Sequence, residues 1–249
     1  MKVIINADDF GLSQSVNDGI VHCFKQGVVT SASLMVNTPF TEDAVAKIGA
    51  NGIKNVGVHL NLTYGLSVLK DVPSLVDADG KFHYVCSLGY YARYEEGVRE
   101  LTAQVEKFLS FGLTPTHLDY HHYFHQEPHV FKAYVEVAKK YGLPARGFTE
   151  QARAELNRAG VVTTDAFSFD FHDYGARAET LAEVVKHYSG KAETLEIMAT
   201  LGYVDDYTRM QSSYDYREVE LVELEKAVKA GVFKDVELIG FGALAKQAK

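Results

Sequence analysis

The chain has 249 residues, of which 47% are hydrophobic, and no Pro/Gly/Ser-rich or charged linker divides it. This length and composition predict one globular domain covering residues 1–249. The net charge of −8 and the lack of a Lys/Arg stripe argue against a nucleic-acid-binding surface. No apolar run reaches the ~18 residues of a membrane helix and no signal-peptide pattern is visible, so we predict a cytoplasmic protein without a membrane partner.

Strand-like and helix-like segments alternate along most of the chain, which is typical of βα units around a mainly parallel sheet. In chain order, the predicted elements are a strand (3–7), a helix (13–27), a strand (28–36), a helix (42–48), a strand (56–62), a helix (95–111), a strand (117–121), a helix (130–141), a short strand (143–146), a helix (150–158), strand-like pieces (161–171), a helix (178–188), a strand (194–200), a helix (216–230) and a last strand (236–241). Seven or eight strands are enough to close a (β/α) barrel, and an open doubly wound sheet is the alternative.

Two adjacent carboxylates, Asp8 and Asp9, follow the first predicted strand and precede Gly11. Like charges this close at a buried strand end repel each other and lose hydration, so a cation, a proton or strong donors must compensate them. A metal ion is the simplest such partner. The alternative is that Asp8 or Asp9 only caps the helix that follows Gly11.

Histidines mark two further strands. The third predicted strand places His59 and Asn61 on one face, because side chains alternate along a strand, and the fourth does the same for His117, Asp119 and His121. Five of the ten histidines fall in or just after this fourth strand. For His59 alone, a hydrogen-bonded core histidine is the favoured alternative, whereas the cluster around the fourth strand favours metal binding or catalysis.

The carboxyl ends of parallel strands meet at one end of either fold. We therefore expect the following residues to lie together: Asp8, Asp9, His59, His121, Arg146 and Thr200. One carboxylate and two imidazoles from three strand ends suit zinc or another divalent ion, with open positions for water and substrate. The second aspartate is then free to act as a base. A long loop over residues 63–91 is typical of a lid or a binding loop.

Four segments, NADDFGLS, GVHLNLT, PTHLDYHHYFH and EIMATLGY, resemble in this order the signatures of the YdjC-like carbohydrate deacetylase family. The segments SLVDADGKF and LPAR extend the resemblance over most of the chain. The resemblance implies a distorted, TIM-barrel-like (β/α) barrel that removes acetyl groups from N-acetylated sugars such as diacetylchitobiose. It also implies one divalent metal ion, Mg²⁺ or Zn²⁺, and a small acetylated sugar, free or phosphorylated, as the substrate.

The same resemblance implies roles for individual residues. The metal ligands are then Asp9, His59 and His121, and the general base is Asp8. The residues assigned to the substrate pocket are Asn61, His125, Arg146 and Thr200. The aromatic residues considered for stacking against a sugar ring are Tyr90, Tyr91 and Tyr123.

Thr200 departs from the family pattern E-I-x-x-H-P-G, in which a histidine can protonate the leaving amine. Threonine cannot do so at neutral pH, and general acid catalysis contributes about 10²- to 10⁴-fold. We hypothesise that His125 or His172 supplies the acid. The alternatives are a catalytically impaired, metal-containing sugar-binding or regulatory protein and, more distantly, a hydrolase for another amide or ester. A homodimer also stays open, because no interface pattern is visible.

Overall fold

The computed structural model describes residues 1–122 and 127–244. Within them, seven strands form one parallel sheet, with β1 at its centre. The strands are β1 (Lys2–Phe10), β2 (Ser31–Leu34), β3 (Val56–Leu60), β4 (Leu118–Tyr120), β5 (Ala166–Ser168), β6 (Thr194–Ala199) and β7 (Glu237–Leu238). Their order across the sheet is β4-β3-β2-β1-β6-β5, and β7 pairs with the first residues of β1. Strands β1 to β4 are thus neighbours in sequence and in space, β5 lies beside β6, and both β6 and β7 pair with β1.

This cyclic order is that of a (β/α) barrel, and the structure confirms the predicted distorted barrel. The distortion lies between β4 and β5. There Ala145 forms a single parallel bridge with Leu118, and its N–H donates to the Val162 carbonyl at 2.8 Å. The strand predicted over residues 143–146 is therefore reduced to one bridge, because Pro144 has no N–H to donate to a ladder.

The helices are α1 (Gln14–Lys25), α2 (Thr41–Ala50), α3 (Leu88–Tyr91), α4 (Tyr94–Ser110), α5 (Pro128–Tyr141), α6 (Glu150–Arg158), α7 (Ala178–Tyr188), α8 (Asp206–Gln211) and α9 (Arg217–Lys229). The seven longer ones lie where the sequence predicts helices, whereas α3 and α8 were not predicted. Ser13 caps α1 by accepting from the Val16 N–H at 3.1 Å, so neither Asp8 nor Asp9 is needed as the cap. In the described ranges, no helix combines the length and apolarity needed to cross a membrane.

The two faces of β1 have different surroundings. Val3 to Ala7 alternate, and the odd-numbered residues join the main hydrophobic core. On the opposite face, Ile4 packs with Phe241 and Leu244 in a small separate cluster. The next residues on this second face are polar. The barrel interior therefore changes from an apolar cluster to a polar network toward the carboxyl end of the strands.

The long loop after β3 is held against α4. The buried Glu100 carboxylate accepts hydrogen bonds from the Val68 and Leu69 N–H groups, both at 2.9 Å. Tyr64, near the start of the loop, lines the large cavity at the carboxyl end of the strands. The loop thus has a fixed anchor and contributes a wall to that cavity, as expected of a binding loop.

Candidate metal centre and its cavity

The end of β1 explains how two adjacent aspartates face one cavity. Neighbouring residues on a regular strand point to opposite faces, but the register between β1 and β2 is interrupted between Ala7 and Phe10. Asp9 has a φ of 67°, in the left-handed region that non-glycine residues rarely adopt. This local kink brings the Asp8 and Asp9 side chains to the same cavity, where both are buried.

Asp9 lies between the two predicted histidine ligands. Its Oδ1 atom is 3.2 Å from His59 Nε2 and 2.8 Å from His121 Nδ1. Two donor atoms about 2.0–2.1 Å from a tetrahedral zinc ion lie roughly 3.3 Å apart, so these spacings are close to those of a ligand set. The structure therefore brings together the three side chains that the sequence assigns to the metal, Asp9, His59 and His121.

The second nitrogen of His59 is also paired. Its Nδ1 atom is 2.9 Å from Asp119 Oδ1 and 3.1 Å from the Ser33 hydroxyl, and both partners are buried. Burial opposes a charge on the ring, but Asp119 and Asp9 raise the pKa of His59 to about 10. A carboxylate behind a metal-binding imidazole fixes the ring orientation and increases its basicity. Asp119 thus has a supporting role that the sequence did not assign.

The Asp9 carboxylate is fully compensated on its other side. Its Oδ2 atom accepts from Arg217 Nη2 at 2.7 Å, so Oδ1 alone faces the histidines. Burial disfavours the ionised carboxylate, but the charges of His121 and Arg217 hold the pKa of Asp9 well below its usual range. Asp9 therefore has one carboxylate oxygen available to a cation.

A second group of possible ligands is Asp8, His59 and Asp119. Both oxygens of Asp8 already accept from the guanidinium of Arg146, at 2.6 and 2.7 Å, and Asp119 Oδ2 lies 3.1 Å from Arg146 Nη2. The cation in this second group is thus Arg146 itself. The chemistry of the donors therefore fits a divalent ion better at the group of Asp9, His59 and His121.

Arg146 is the centre of a buried acidic network. Besides Asp8 and Asp119, it contacts Glu196, whose Oε1 accepts from Nε at 2.7 Å. Burial raises the pKa of Glu196 to about 7, although the charge of Arg146 opposes this rise. Asn6 adds donors to Asp8 Oδ1 and Asp119 Oδ2, at 2.8 and 3.1 Å. The network holds Asp8 in one orientation at the cavity wall.

The cavity has a volume of about 370 Å³ and contains the ligand set, Asp8 and Arg146. That size is within the range of roughly 300–1,000 Å³ typical of small-molecule sites. Thr200 lines this cavity, and its backbone N–H donates to Glu220 Oε2. His172 lines it as well, and Arg146 is buried.

The other predicted pocket residues have different positions. Asn61 is fully buried; its Oδ1 accepts from the Thr63 and Tyr64 N–H groups and its amide donates to the Tyr64 carbonyl, so it orders the turn after β3. The cavity wall formed by the described residues does not include it. Tyr90 and Tyr91 are exposed outside that wall, and His125 and Tyr123 lie outside the described residues.

Sequence reasoning did not identify Arg217, the first residue of α9. It is buried and pairs with Asp9 across 208 positions of the sequence. No local sequence pattern predicts this contact, because arginine is common at the start of a helix. The run Tyr-x-x-Arg-x-x-Glu over residues 214–220 is the only nearby signal, and all three of its side chains face the cavity or its supporting contacts.

Comparisons with known proteins identify the family of this chain. The family model described as YdjC-like protein matches residues 2–230. A carbohydrate deacetylase of Clostridium beijerinckii is 36% identical over 244 residues, covering 97% of this chain and 99% of the relative. A carbohydrate deacetylase of Geobacillus stearothermophilus is 40% identical over 217 residues, covering 87% of this chain and 86% of the relative.

Solved structures share the fold of this chain. A protein of Enterococcus faecalis, described as a candidate cellobiose-phosphate cleavage protein, superposes with a TM-score of 0.91 at 29% identity, covering 98% of each chain. A lactam utilization protein of Thermus thermophilus has a TM-score of 0.57 at 16% identity, covering 96% of this chain and 100% of its own, which is a likeness of fold alone. From the match over residues 2–230 and these relatives, the chain belongs to the YdjC-like protein family.

Proposed function

We propose that the chain is a metal-dependent carbohydrate deacetylase that hydrolyses the N-acetyl group of an N-acetylated sugar. The observation that carries the proposal is the meeting of Asp9, His59 and His121 at one cavity wall, with Asp8, paired with Arg146, as a second carboxylate there. The similar carbohydrate deacetylases of Clostridium beijerinckii and Geobacillus stearothermophilus support the reaction class.

Asp9, His59 and His121 would hold the ion, Mg²⁺ or Zn²⁺. A divalent ion bound there supplies a Lewis acid that polarises the acetamide carbonyl and offsets the negative charge developing on its oxygen. Asp8 acts as the general base and takes a proton from the attacking water. Arg146 donates hydrogen bonds to both oxygens of Asp8 and so keeps the carboxylate facing the cavity.

The substrate is a small N-acetylated sugar, and a cavity of about 370 Å³ accommodates a monosaccharide or disaccharide unit rather than a long chain. Diacetylchitobiose is the first substrate to test. A phosphorylated sugar is a second, because the relative of Enterococcus faecalis is described as acting on a phosphorylated disaccharide. Asn61, His125, Arg146 and Thr200 stay predictions as substrate contacts, as do the cytoplasmic location and a homodimer.

The test is acetate release from diacetylchitobiose by the chelator-treated protein, with and without added Zn²⁺, Mg²⁺ or Co²⁺. We expect release only with metal, and a loss of at least about 10²-fold in the Asp8→Asn variant, because the base is removed while the ligands stay. Asp43→Asn, which makes the same charge change at the Lys47 ion pair on α2, is the control. Release that is independent of both metal and Asp8 would contradict the proposal.

The second candidate is a sugar-binding protein without catalysis, which Thr200 at the cavity wall favours. It predicts that diacetylchitobiose and Zn²⁺ raise the melting temperature while no acetate is released. Acetate release by Thr200→His, together with none from the wild type, would support this candidate. Release by the wild type would exclude it.

A further inference from the structure

Amide hydrolysis needs a proton donor that the residues assigned above do not provide. The departing nitrogen must gain a proton as the C–N bond breaks, and Thr200 cannot supply it at neutral pH. Among the described residues that line the cavity, the histidines outside the ligand set are His122 and His172. The Nδ1 atom of His122 pairs with the Thr63 hydroxyl at 2.8 Å, a neutral partner, whereas His172 has a carboxylate partner.

The carboxylate beside His172 is Glu220 of α9, which is fully buried. Its Oε1 atom lies 3.2 Å from His172 Nδ1, and its Oε2 accepts from the Thr200 N–H. A buried carboxyl group on one imidazole nitrogen fixes the tautomer and the orientation of the ring, as in other acid–base pairs. In the described part of the chain, no side chain hydrogen-bonds Nε2 of His172. Because His172 lines the cavity and its Nδ1 is paired with Glu220, Nε2 is the ring nitrogen left for a substrate.

Tyr214 holds this pair in place. Its ring stacks on His172 with centroids 4.2 Å apart and an interplanar angle of 5°, and its hydroxyl donates to Glu220 Oε1. The same hydroxyl accepts from the Asp173 N–H at 2.8 Å, and Asp173 has a φ of 55°. A non-glycine residue in this region costs of order 1–3 kcal/mol and persists only where its surroundings hold it. The backbone turn after His172 is thus held by Tyr214, which also contacts His172 and Glu220.

The pair lies close to the ligand set without touching it. Arg217, which binds Asp9, lies with its guanidinium carbon 5.7 Å from the Tyr214 ring centroid. Of the described residues, the titratable and charged groups around the imidazole include Glu220, Tyr214 and the adjacent Asp173, with Arg217 behind the tyrosine. Burial raises the pKa of Glu220 above its usual value, and the hydrogen bonds from His172 and Tyr214 oppose that rise.

We propose that His172 is the general acid of this site and that Glu220 positions it, in place of the histidine absent at position 200. The role rests on the deacetylase proposal above. As the carbonyl–nitrogen bond breaks, its electron pair goes to nitrogen, which takes the Nε2 proton of the imidazolium. The neutral imidazole then regains a proton from solvent, and Asp8 releases to solvent the proton taken from water, so the cycle balances.

The first test compares two substrates that differ in leaving group. His172→Gln should lower kcat for acetate release from diacetylchitobiose by about 10²- to 10⁴-fold, with a small change in KM. Hydrolysis of p-nitrophenyl acetate should fall much less, because its leaving group departs without a proton. His187→Gln, an exposed histidine on α7, is the matched control and should behave as the wild type.

The second test separates an acid from a structural residue. His172→Ala should regain amide hydrolysis when imidazole is added, and the alkaline limb of the kcat profile should disappear in His172→Gln. Glu220→Gln should lower kcat for diacetylchitobiose more than for p-nitrophenyl acetate, because the imidazole loses the partner that fixes its tautomer. Tyr214→Phe keeps the ring stack and should give a smaller loss of the same kind, which covers the case in which the Glu220 variant does not fold.

The two proposals fail differently. Equal loss of amide and ester hydrolysis in His172→Gln, or an unchanged rate and pH profile, would overturn the role of His172 while wild-type acetate release keeps the deacetylase proposal. No acetate release from the metal-loaded wild type would remove both. Zn²⁺ affinity in His172→Gln should equal that of the wild type, and a loss of affinity would show that His172 acts on the ligand set instead.

Discussion

The buried contact between Asp119 and His59 gives a quantitative prediction for metal affinity. The Asp119 carboxylate lies 2.9 Å from His59 Nδ1 and fixes the ring so that Nε2 faces Asp9. Asp119→Asn keeps the size of the side chain but removes its charge. Loss of such a supporting carboxylate lowers metal affinity by about 10- to 100-fold, which is about 1.4–2.8 kcal/mol.

The size of this loss depends on pH, because protons compete with the metal for His59. Burial lowers the pKa of His59, but Asp119 and Asp9 outweigh burial and raise that pKa to about 10 in the metal-free protein. Removing the Asp119 charge lowers the affinity of His59 for the competing proton as well as for the metal ion. We therefore expect the gap in Zn²⁺ affinity between wild type and variant to be wider at pH 9 than at pH 6.

The assay is calorimetric titration of the chelator-treated protein with Zn²⁺ at both pH values, with Asp43→Asn as a control of equal charge change. Near-wild-type affinity of Asp119→Asn at pH 9, in a protein with an unchanged circular dichroism spectrum, would refute the argument. If affinity is kept but acetate release is lost, Asp119 acts on Asp8 through Arg146, which it contacts at 3.1 Å.

Two further predictions concern stability. A Cβ on Gly57 would lie 2.4 Å from the His117 ring and 2.6 Å from the His117 carbonyl oxygen, so Gly57→Ala should destabilise the fold by about 2–3 kcal/mol in urea unfolding. Gly49→Ala, in open space on α2, should stabilise it by ~0.5–1 kcal/mol, and a similar loss in both variants would contradict this reading. The folded-state pKa of Glu196 is about 7, above the usual value of 4.5. Protonated Glu196 therefore stabilises the fold fully below the unfolded-state pKa, and this stabilisation is lost as the pH rises through 7. Glu196→Gln should therefore gain stability relative to wild type between pH 5 and pH 8 in thermal unfolding, whereas the exposed Glu193→Gln should show no such trend.

The fold followed from local patterns to a large extent. Strands such as β1 and β6 are buried and rich in apolar residues, and the long helices have clear apolar faces, so their positions could be predicted within a few residues. The break between β4 and β5 could not, because the bridge at Ala145 depends on pairing with Leu118 and Val162. The short α8 was also missed, since six residues carry too little periodicity.

The candidate site divides in the same way. Asp9, His59 and His121 could be grouped because each stands at or next to a strand end, and parallel topology alone brings strand ends together. Arg217 could not be placed, because its contact with Asp9 depends on how α9 packs across the barrel. The contact of Glu220 with His172 could not be predicted from the sequence for the same reason, because it joins a helix to a loop 48 residues away.

The adjacent aspartates show why these long-range contacts matter for function. Two neighbouring carboxylates in a buried place repel each other and would both be costly without partners. Each has its own arginine: Arg146 binds both oxygens of Asp8, whereas Arg217 binds one oxygen of Asp9 and leaves the other to the histidines. The kink at Asp9 separates the two environments, so one sequence motif can provide both the ligand and the base of the proposed reaction. The difference between the two environments is set by α9 and the segment after α5, far from the motif itself.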